Sequence, residues 1–68
     1  MKILKWTNKY SGEVGYVKNV LKSKGYFVNE WDRAKAKSYM NETMAQRDLE
    51  TIVEIGEAEN NIFTIEDK

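Results

Sequence analysis

Three glutamates in the second half of the chain are spaced as carboxylates on one face of a helix would be. Glu50, Glu54 and Glu57 follow one another at intervals of four and three residues, and this spacing brings side chains together on a helix. Paired carboxylates can act as general acid and base when burial or a neighbouring charge shifts their pKa values. Their spacing places them on the solvated face of the helix, and nothing indicates the burial that would shift their pKa values. We therefore expect a solvated acidic face and predict that the protein is not an enzyme.

Neither a metal site nor a phosphate-binding loop is predicted. Glu57, Glu59 and Asn60 are close in sequence, but they lack the alternating ligands and the final bidentate Glu of a calcium loop. The stretch Ser11–Gly15 has two glycines, but no Lys-Ser or Lys-Thr pair and no helical pattern follows it. The chain also has no His and no Cys, the commonest ligands of zinc. No cofactor is therefore expected.

Lysines alternate with aromatic residues in the first half of the chain, a pattern found in some nucleic-acid-binding sheets. Exposed aromatic side chains could stack on bases while the lysines contact phosphates. The candidate residues for such a site are Lys18, Lys22, Lys24, Trp31, Lys35 and Lys37. The aromatic residues could instead fill the core, because the first half has few aliphatic residues. The isoelectric point near 6.2 also argues against a nucleic-acid partner.

The net charge of zero hides a division between the two halves of the chain. Residues 1–38 contain nine Lys and Arg against three Asp and Glu, whereas residues 39–68 contain two against eight. An acidic surface of this kind could bind a basic site on another protein, with Glu50, Glu54 and Glu57 as the candidate residues. Alternatively, the basic and acidic halves complement each other within one small domain.

The best-defined element that must position these groups is an amphipathic helix over Asn41–Gly56. Asn41 is a typical N-cap residue, and Gly56 suits the left-handed position that ends a helix. One helix cannot bury an apolar stripe by itself, so we expect the strands of the first half to cover it. The stripe consists of Ala45, Leu49, Ile52, Val53 and Gly56.

Three strands are predicted before this helix and one after it. The first three are Lys2–Asn8, Val14–Leu21 and Tyr26–Trp31, and their short connections indicate a meander. A helical turn at Arg33–Lys37 leads into the long helix, and Ile62–Glu66 should return to the sheet. The predicted fold class is α+β: a small antiparallel sheet, made of this meander and the C-terminal strand, with one long helix packed on one face. The predicted core consists of Leu4, Val17, Phe27, Ala45, Leu49, Ile52, Val53, Phe63 and Ile65.

The segment before the helix also carries a local motif. Ala34, Lys35, Ala36, Lys37 and Tyr39 form an A-K-A-K-x-Y turn between a small hairpin and the helix, and a final strand follows Asn60. This arrangement, which spans most of the chain, resembles short uncharacterised proteins of Gram-positive bacteria and their phages. The resemblance implies a hairpin, a turn, a helix and a final strand in that order. It implies no activity and no site residues.

The last expectations concern size, location and partner. Sixty-eight residues allow one domain, and no apolar run suits a signal peptide or a membrane span, so we expect a cytoplasmic protein without membrane contact. We predict a non-enzymatic interaction or regulatory protein that binds another protein, or a second copy at the open, aromatic face of its sheet. The alternative is a nucleic-acid-binding module that uses the basic, aromatic first half. The discriminating observation is whether the following side chains are buried or lie exposed together: Trp6, Tyr16, Tyr26 and Trp31.

Overall fold

The computed structural model describes residues 1–68 and shows a four-stranded antiparallel sheet with one α-helix against it. The strands are β1 (Lys2–Asn8), β2 (Val14–Leu21), β3 (Tyr26–Glu30) and β4 (Asn61–Asp67), and the helix α1 spans Glu42–Glu54. The strand order is β3-β2-β1-β4. Short 3-10 turns occupy Lys22–Lys24, Arg33–Lys35 and Glu57–Glu59. The predicted α+β class, with a meander, a returning C-terminal strand and one long helix, is confirmed.

Local signals at both ends define α1. The side chain of Asn41 accepts a hydrogen bond from the Met44 N–H at 3.0 Å, which satisfies one of the free donors of the first turn. Glu42 follows in the first turn, where the helix dipole favours a negative charge. The last helical residue is Glu54, and Gly56 has a φ of +87°, a conformation that residues with a Cβ rarely adopt. Both predicted end signals are therefore confirmed.

The strand β4 completes the sheet by pairing with β1 over the whole length of both strands. The antiparallel register runs without interruption from the Lys2–Asp67 pair to the Asn8–Asn61 pair. The pairing of β2 with β3 is less regular, because a bulge interrupts the register just after Val17. The strand order leaves β4 and β3 as the two edges of the sheet.

A cluster of buried residues joins α1 to the sheet. Its members are Leu4, Val17, Tyr39, Ala45 and Ile52. A surrounding layer of partly buried residues consists of Val20, Phe27, Leu49, Phe63 and Ile65. The core prediction is therefore correct for every residue except Val53.

Val53 is wrong as a core residue because it is 57 % exposed, whereas the preceding Ile52 is fully buried. Consecutive residues of a helix differ by about 100° in direction, since 3.6 residues make one turn. Ala45, Leu49 and Ile52 lie at intervals of four and three residues and fill the narrow stripe that contacts the sheet. Val53 lies beyond the edge of that stripe.

The segment between β3 and α1 is anchored to both neighbours of β1. The Lys37 N–H donates to the Val17 carbonyl of β2 at 3.0 Å, and the Arg33 guanidinium donates to the Asp67 carbonyl of β4. The segment also contains Ala36, which is buried, while Ala34 in the same turn is exposed. This part of the chain therefore spans one end of the sheet from β2 to β4.

At the same end, Tyr39 and Lys2 exchange two main-chain hydrogen bonds of 2.8 Å. They form an isolated bridge, so the chain here links the segment to α1 without adding a regular strand. Ile3 follows Lys2 and alternates with Leu4, which places its side chain on the face away from α1. Ile3 is nevertheless fully buried, at the end of the sheet to which the segment is anchored.

Candidate interaction surfaces

Five ion pairs tie basic residues of the chain to acidic ones. The pairs are Lys2–Asp67 at 2.7 Å, Lys37–Asp48 at 3.0 Å, Lys22–Glu54 at 3.5 Å, Lys18–Glu30 at 3.6 Å and Lys5–Glu66 at 3.8 Å. All except Lys18–Glu30 join a lysine of the first half to a carboxylate of the second half. The basic and acidic halves therefore complement each other within the domain, which is one of the two interpretations of the charge pattern.

The candidate nucleic-acid-binding lysines do not form one patch. Lys22 and Lys24 lie in the 3-10 turn before β3, whereas Lys18 is paired with a carboxylate at the other end of β3. Lys35 lies in the anchored segment, and Lys37 contacts a carboxylate of α1. Three of these five lysines are ion-paired, and the two without an ion pair, Lys24 and Lys35, belong to different parts of the surface.

The Glu30 carboxylate organises the end of β3. It accepts a hydrogen bond from the Asp32 N–H at 3.1 Å and lies 3.6 Å from the Lys18 ammonium group. The hydrogen bond from Asp32, helped by the charges of Lys18 and Lys35, holds the pKa of this carboxyl group below its usual value. The negative charge of Glu30 therefore reduces the positive charge near Trp31, which weakens the attraction of this region for a phosphate group.

Trp31 is exposed but is held in place by Trp6. The Trp31 side chain is 63 % exposed, and its ring lies edge-to-face against the Trp6 ring with the centroids 5.7 Å apart, a favourable aromatic geometry. Trp6 is fixed in turn, because its indole N–H donates to the Asn29 side-chain oxygen at 2.6 Å. Its ring also covers Gly15, where no side chain intervenes. An exposed and oriented indole of this kind could stack against a base or another planar group.

The sheet face away from α1, which we call the far face, carries a row of apolar side chains across three strands. Thr7 on β1 lies directly between Ile62 on β4 and Val14 on β2. Ile62 is 53 % exposed and Val14 is 41 % exposed. Tyr16 follows Val14 on the same side of β2, and Tyr26 lies on the far face of β3 with an exposure of 45 %. Around this row the far face is thus apolar, hydroxyl-bearing and open to solvent, whereas Ile3 at the opposite end of β1 is covered.

The four aromatic side chains that distinguish a buried core from an exposed binding surface are divided between the two sides of the sheet. Tyr16 and Tyr26 lie on the far face, whereas Trp6 lies on the side of α1 and carries Trp31 against its ring. Trp6 is 8 % exposed and contributes to the interior. The sequence pattern could not separate these groups, because they lie on different strands, and the face that each strand turns towards α1 depends on the turns that connect the strands.

The candidate acidic residues also do not share one surface. Glu50 lies on the solvent side of α1, in a depression that it lines together with Arg47 and other polar residues of the helix. Glu54 is paired with Lys22 across to the β2–β3 turn. Glu57 is half-buried in the turn after the helix, where its carbonyl accepts a hydrogen bond from the Asn61 side chain at 3.3 Å. Among the three, only Glu50 is both exposed and without an ion pair.

Lys37, Tyr39 and Asp48 form a polar cluster that the sequence does not indicate as a site. The Tyr39 hydroxyl donates to Oδ2 of Asp48 at 2.5 Å, and the same oxygen accepts from the Lys37 ammonium group at 3.0 Å. Burial raises the pKa of the Tyr39 hydroxyl, and its hydrogen bond to the Asp48 carboxylate raises it further. Lys37 and Tyr39 are two positions apart in an extended segment, so their side chains point to the same side. This spacing is the signal in the sequence from which the cluster could have been found. The cluster ties the anchored segment to α1.

No group of three Asp, Glu, His or Cys side chains is arranged to hold a metal ion, and no helix has the length and apolar character needed to cross a membrane. Comparisons with protein-family models, curated proteins and solved structures found no significant match to this chain.

Proposed function

We propose that this chain is a small non-enzymatic interaction protein that binds another protein through the far face of its sheet. The observation that carries the proposal is the continuous row formed by Ile62, Thr7 and Val14, beside Tyr16. Contiguous exposed apolar groups with a polar surround are typical of protein-binding surfaces. The other face of the sheet is occupied by α1 and the core, so the far face is the side available to a partner.

The surroundings of this row fit the same proposal. Lys5 lies opposite both Tyr16 and Thr64 in the next cross-strand row, and its ammonium group is 3.8 Å from the Glu66 carboxylate. Charged groups of this kind would form a polar rim around an apolar centre, the usual arrangement of a protein interface. Tyrosine side chains add apolar contact area and a hydroxyl that can find a hydrogen-bond partner.

A photo-crosslinking experiment tests the proposal. A benzophenone amino acid replaces Tyr26 on the far face, and in a control protein it replaces Gln46, which is exposed on the solvent side of α1. Both proteins are irradiated in an extract of the source organism, and crosslinked products are identified by mass spectrometry. We expect one specific product from position 26 that is suppressed by excess unlabelled protein and lost in Val14→Lys.

The possible results separate the surfaces. A specific product from position 46 alone would assign binding to the acidic side of α1, where Glu50 and Glu54 remain the candidate residues. Products that persist in Val14→Lys, or that excess unlabelled protein does not suppress, would contradict binding at the far face. The cytoplasmic location and the relationship to proteins of Gram-positive bacteria and their phages remain predictions from the sequence.

Nucleic-acid binding is the second candidate function, and one observation favours it. Trp31 is exposed and held by Trp6, and Lys35, four positions further along the chain, makes no ion pair. An oriented aromatic ring can stack a base, and a free ammonium group can contact its phosphate. The pairing of Lys18 with Glu30 and of Lys22 with Glu54 works against it, so we place this candidate second.

A further inference from the structure

The outer edge of β4 presents main-chain groups that no strand of this chain uses. At the two ends of the β1–β4 pair, the Lys9 N–H donates to the Asn60 carbonyl and the Lys68 N–H donates to the Met1 carbonyl. Hydrogen-bonded and non-bonded pairs alternate along antiparallel strands. This alternation makes Thr64 a bonded partner of β1.

The same alternation directs the main-chain groups of Phe63 and Ile65 away from β1. Because β4 is an edge strand, these groups have no neighbouring strand on their outer side. At Asp67 the outward carbonyl is already occupied by the Arg33 guanidinium. Phe63 and Ile65, on either side of Thr64, therefore present main-chain groups that are free to pair with another strand.

The two edges of the sheet differ in how well they are protected against pairing. The strand β3 has five residues and an irregular register with β2, and short or bulged edge strands pair poorly with other chains. The strand β4 has seven residues in unbroken register with β1. It has no Pro, no Lys and no bulge between Asn61 and Asp67, and its two charged residues, Glu66 and Asp67, lie at its C-terminal end. The stretch from Asn61 to Ile65 therefore lacks the usual protective features of an edge.

We propose that two copies of this chain associate by antiparallel pairing of their β4 strands, centred on Thr64. Each copy would exchange main-chain hydrogen bonds between its Phe63 and the partner's Ile65, and between its Ile65 and the partner's Phe63. The two four-stranded sheets then form one continuous sheet across a two-fold axis. This inference rests on the proposed interaction role and names a second copy as one partner, bound at the sheet edge.

The side chains of β4 are complementary to themselves in this register. Phe63 lies opposite the partner's Ile65, and both belong to the partly buried layer around the core. Thr64 lies opposite the partner's Thr64, a pair that hydrogen-bonds well across strands. The acidic end of the strand meets neutral residues, because Glu66 lies opposite the partner's Ile62. No like charges face each other, and like charges in direct opposition would destabilise the pair.

A charge-swap experiment at Thr64 tests both the surface and its register. Thr64 is exposed on the far face and lies opposite Lys5 within its own sheet. Thr64→Glu places two carboxylates opposite each other in the dimer, while within each copy the introduced group faces the Lys5 ammonium. Thr64→Lys places two ammonium groups opposite each other, and Thr64→Val is the neutral control.

Sedimentation over a range of concentrations measures the association. We expect wild type and Thr64→Val to dimerise, and each charged variant to raise the dissociation constant about tenfold or more. An equimolar mixture of Thr64→Glu and Thr64→Lys should dimerise again, since opposite charges then meet across the two-fold axis. An interface in which the two Thr64 side chains lie far apart does not predict this recovery.

Amide hydrogen exchange locates the association along the chain. In wild type, exchange at Phe63 and Ile65 should slow as the protein concentration rises and the dimer forms. In the charged variants these two amides should stay exchangeable, while the amides of Thr64 and Glu66, which donate to β1, stay protected and report that the sheet is folded. The Thr64 and Glu66 amides therefore separate a lost interface from a lost fold.

Three results would overturn the proposal: a monomer at every concentration, a dimer whose Phe63 and Ile65 amides remain unprotected, or no recovery on mixing the charged variants. Val14→Lys distinguishes the edge from the far face. If Val14→Lys abolishes the dimer while Thr64→Glu leaves it intact, the copies associate through the far face. The proposed interaction role would then stand without the β4 pairing.

Discussion

The Tyr39 hydroxyl and the Asp48 carboxylate form a hydrogen bond of 2.5 Å that joins the anchored segment to α1. The Tyr39 ring belongs to the buried core, and the Lys37 ammonium group lies 5.0 Å from the centre of that ring. Lys37 also donates to the same oxygen of Asp48. At this point the basic first half, the core and the acidic helix therefore meet in one contact.

Removing the Tyr39 hydroxyl should weaken the fold measurably. In Tyr39→Phe the ring still fills the core, but Asp48 loses its phenolic donor and keeps only Lys37. A hydrogen bond to a charged group contributes about 1.5–3 kcal/mol, so we expect a decrease of that size in the free energy of unfolding. Urea denaturation at pH 7 measures it. An unchanged midpoint and slope would show that the hydrogen bond adds nothing to stability.

The same residue predicts a loss of stability in alkali. The pKa of Tyr39 is raised in the folded protein by burial and by Asp48, so the folded state keeps the proton at a pH where the unfolded phenol ionises. The stabilising contribution is thus fully present below the unfolded tyrosine pKa of about 10 and declines as the pH rises above it. Wild type should therefore lose more stability than Tyr39→Phe between pH 9 and pH 11, and equal losses would contradict this assignment.

Gly15 is required because Trp6 covers it. A Cβ built at Gly15 would lie 2.5 Å from two ring carbons of Trp6 and 2.5 Å from the Asn29 side-chain oxygen. Gly15→Ala should therefore destabilise the protein by about 1–3 kcal/mol through overpacking. It should also change tryptophan fluorescence, since Trp6 holds Trp31. The double variant Gly15→Ala with Trp6→Phe should lose less than the sum of the two single changes, whereas simple additivity would show that the two positions do not clash.

Adjacent residues of α1 test which side of the helix is buried. Ile52 is fully buried and Val53 is 57 % exposed, although the two differ only by one position. Ile52→Ala should cost about 2–5 kcal/mol, while Val53→Ala, Glu50→Ala and Glu54→Ala should each change stability by less than about 1 kcal/mol. Urea denaturation of the four variants gives the comparison. Similar losses at positions 52 and 53 would mean that the helix is rotated relative to the structure.

Features with a local cause could be predicted from the sequence. Asn41 caps α1 with its own side chain and Gly56 ends it through its own backbone, so neither needs information from elsewhere in the chain. The apolar spacing of Ala45, Leu49 and Ile52 likewise follows from helix geometry. These signals were sufficient for the class of fold and for most of the core.

Features that depend on distant partners could not be predicted. Ile3 is fully buried although its side chain points away from α1, and Tyr39 enters the core beside a bridge to the distant Lys2. The candidate lysines are another example: their charge is visible in the sequence, but Glu54 and Asp48 neutralise two of them only after the helix packs against the sheet. The sequence could therefore name charged residues without showing which of them remain free.

Oligonucleotide titrations test the second candidate function. We expect no change in tryptophan fluorescence when short single- or double-stranded oligonucleotides are added at low salt, because Lys18, Lys22 and Lys37 are already paired with carboxylates. Electrostatic binding is strongest under these conditions, so low salt is the most sensitive test.

A change in fluorescence on adding oligonucleotides would favour nucleic-acid binding over protein binding only if the binding has the properties expected of a site at Trp31 and Lys35. Affinity should then fall steeply with salt and decrease in Lys35→Ala for all sequences alike, since phosphate contacts carry no base information. Trp31→Ala should lose about 1–3 kcal/mol of binding through the missing stacking contact. Lys24→Ala is the matched control, because Lys24 is also a lysine without an ion pair but lies in the turn at the opposite end of β3. Equal losses at Lys24 and Lys35, with none at Trp31, would indicate nonspecific attraction to the surface lysines.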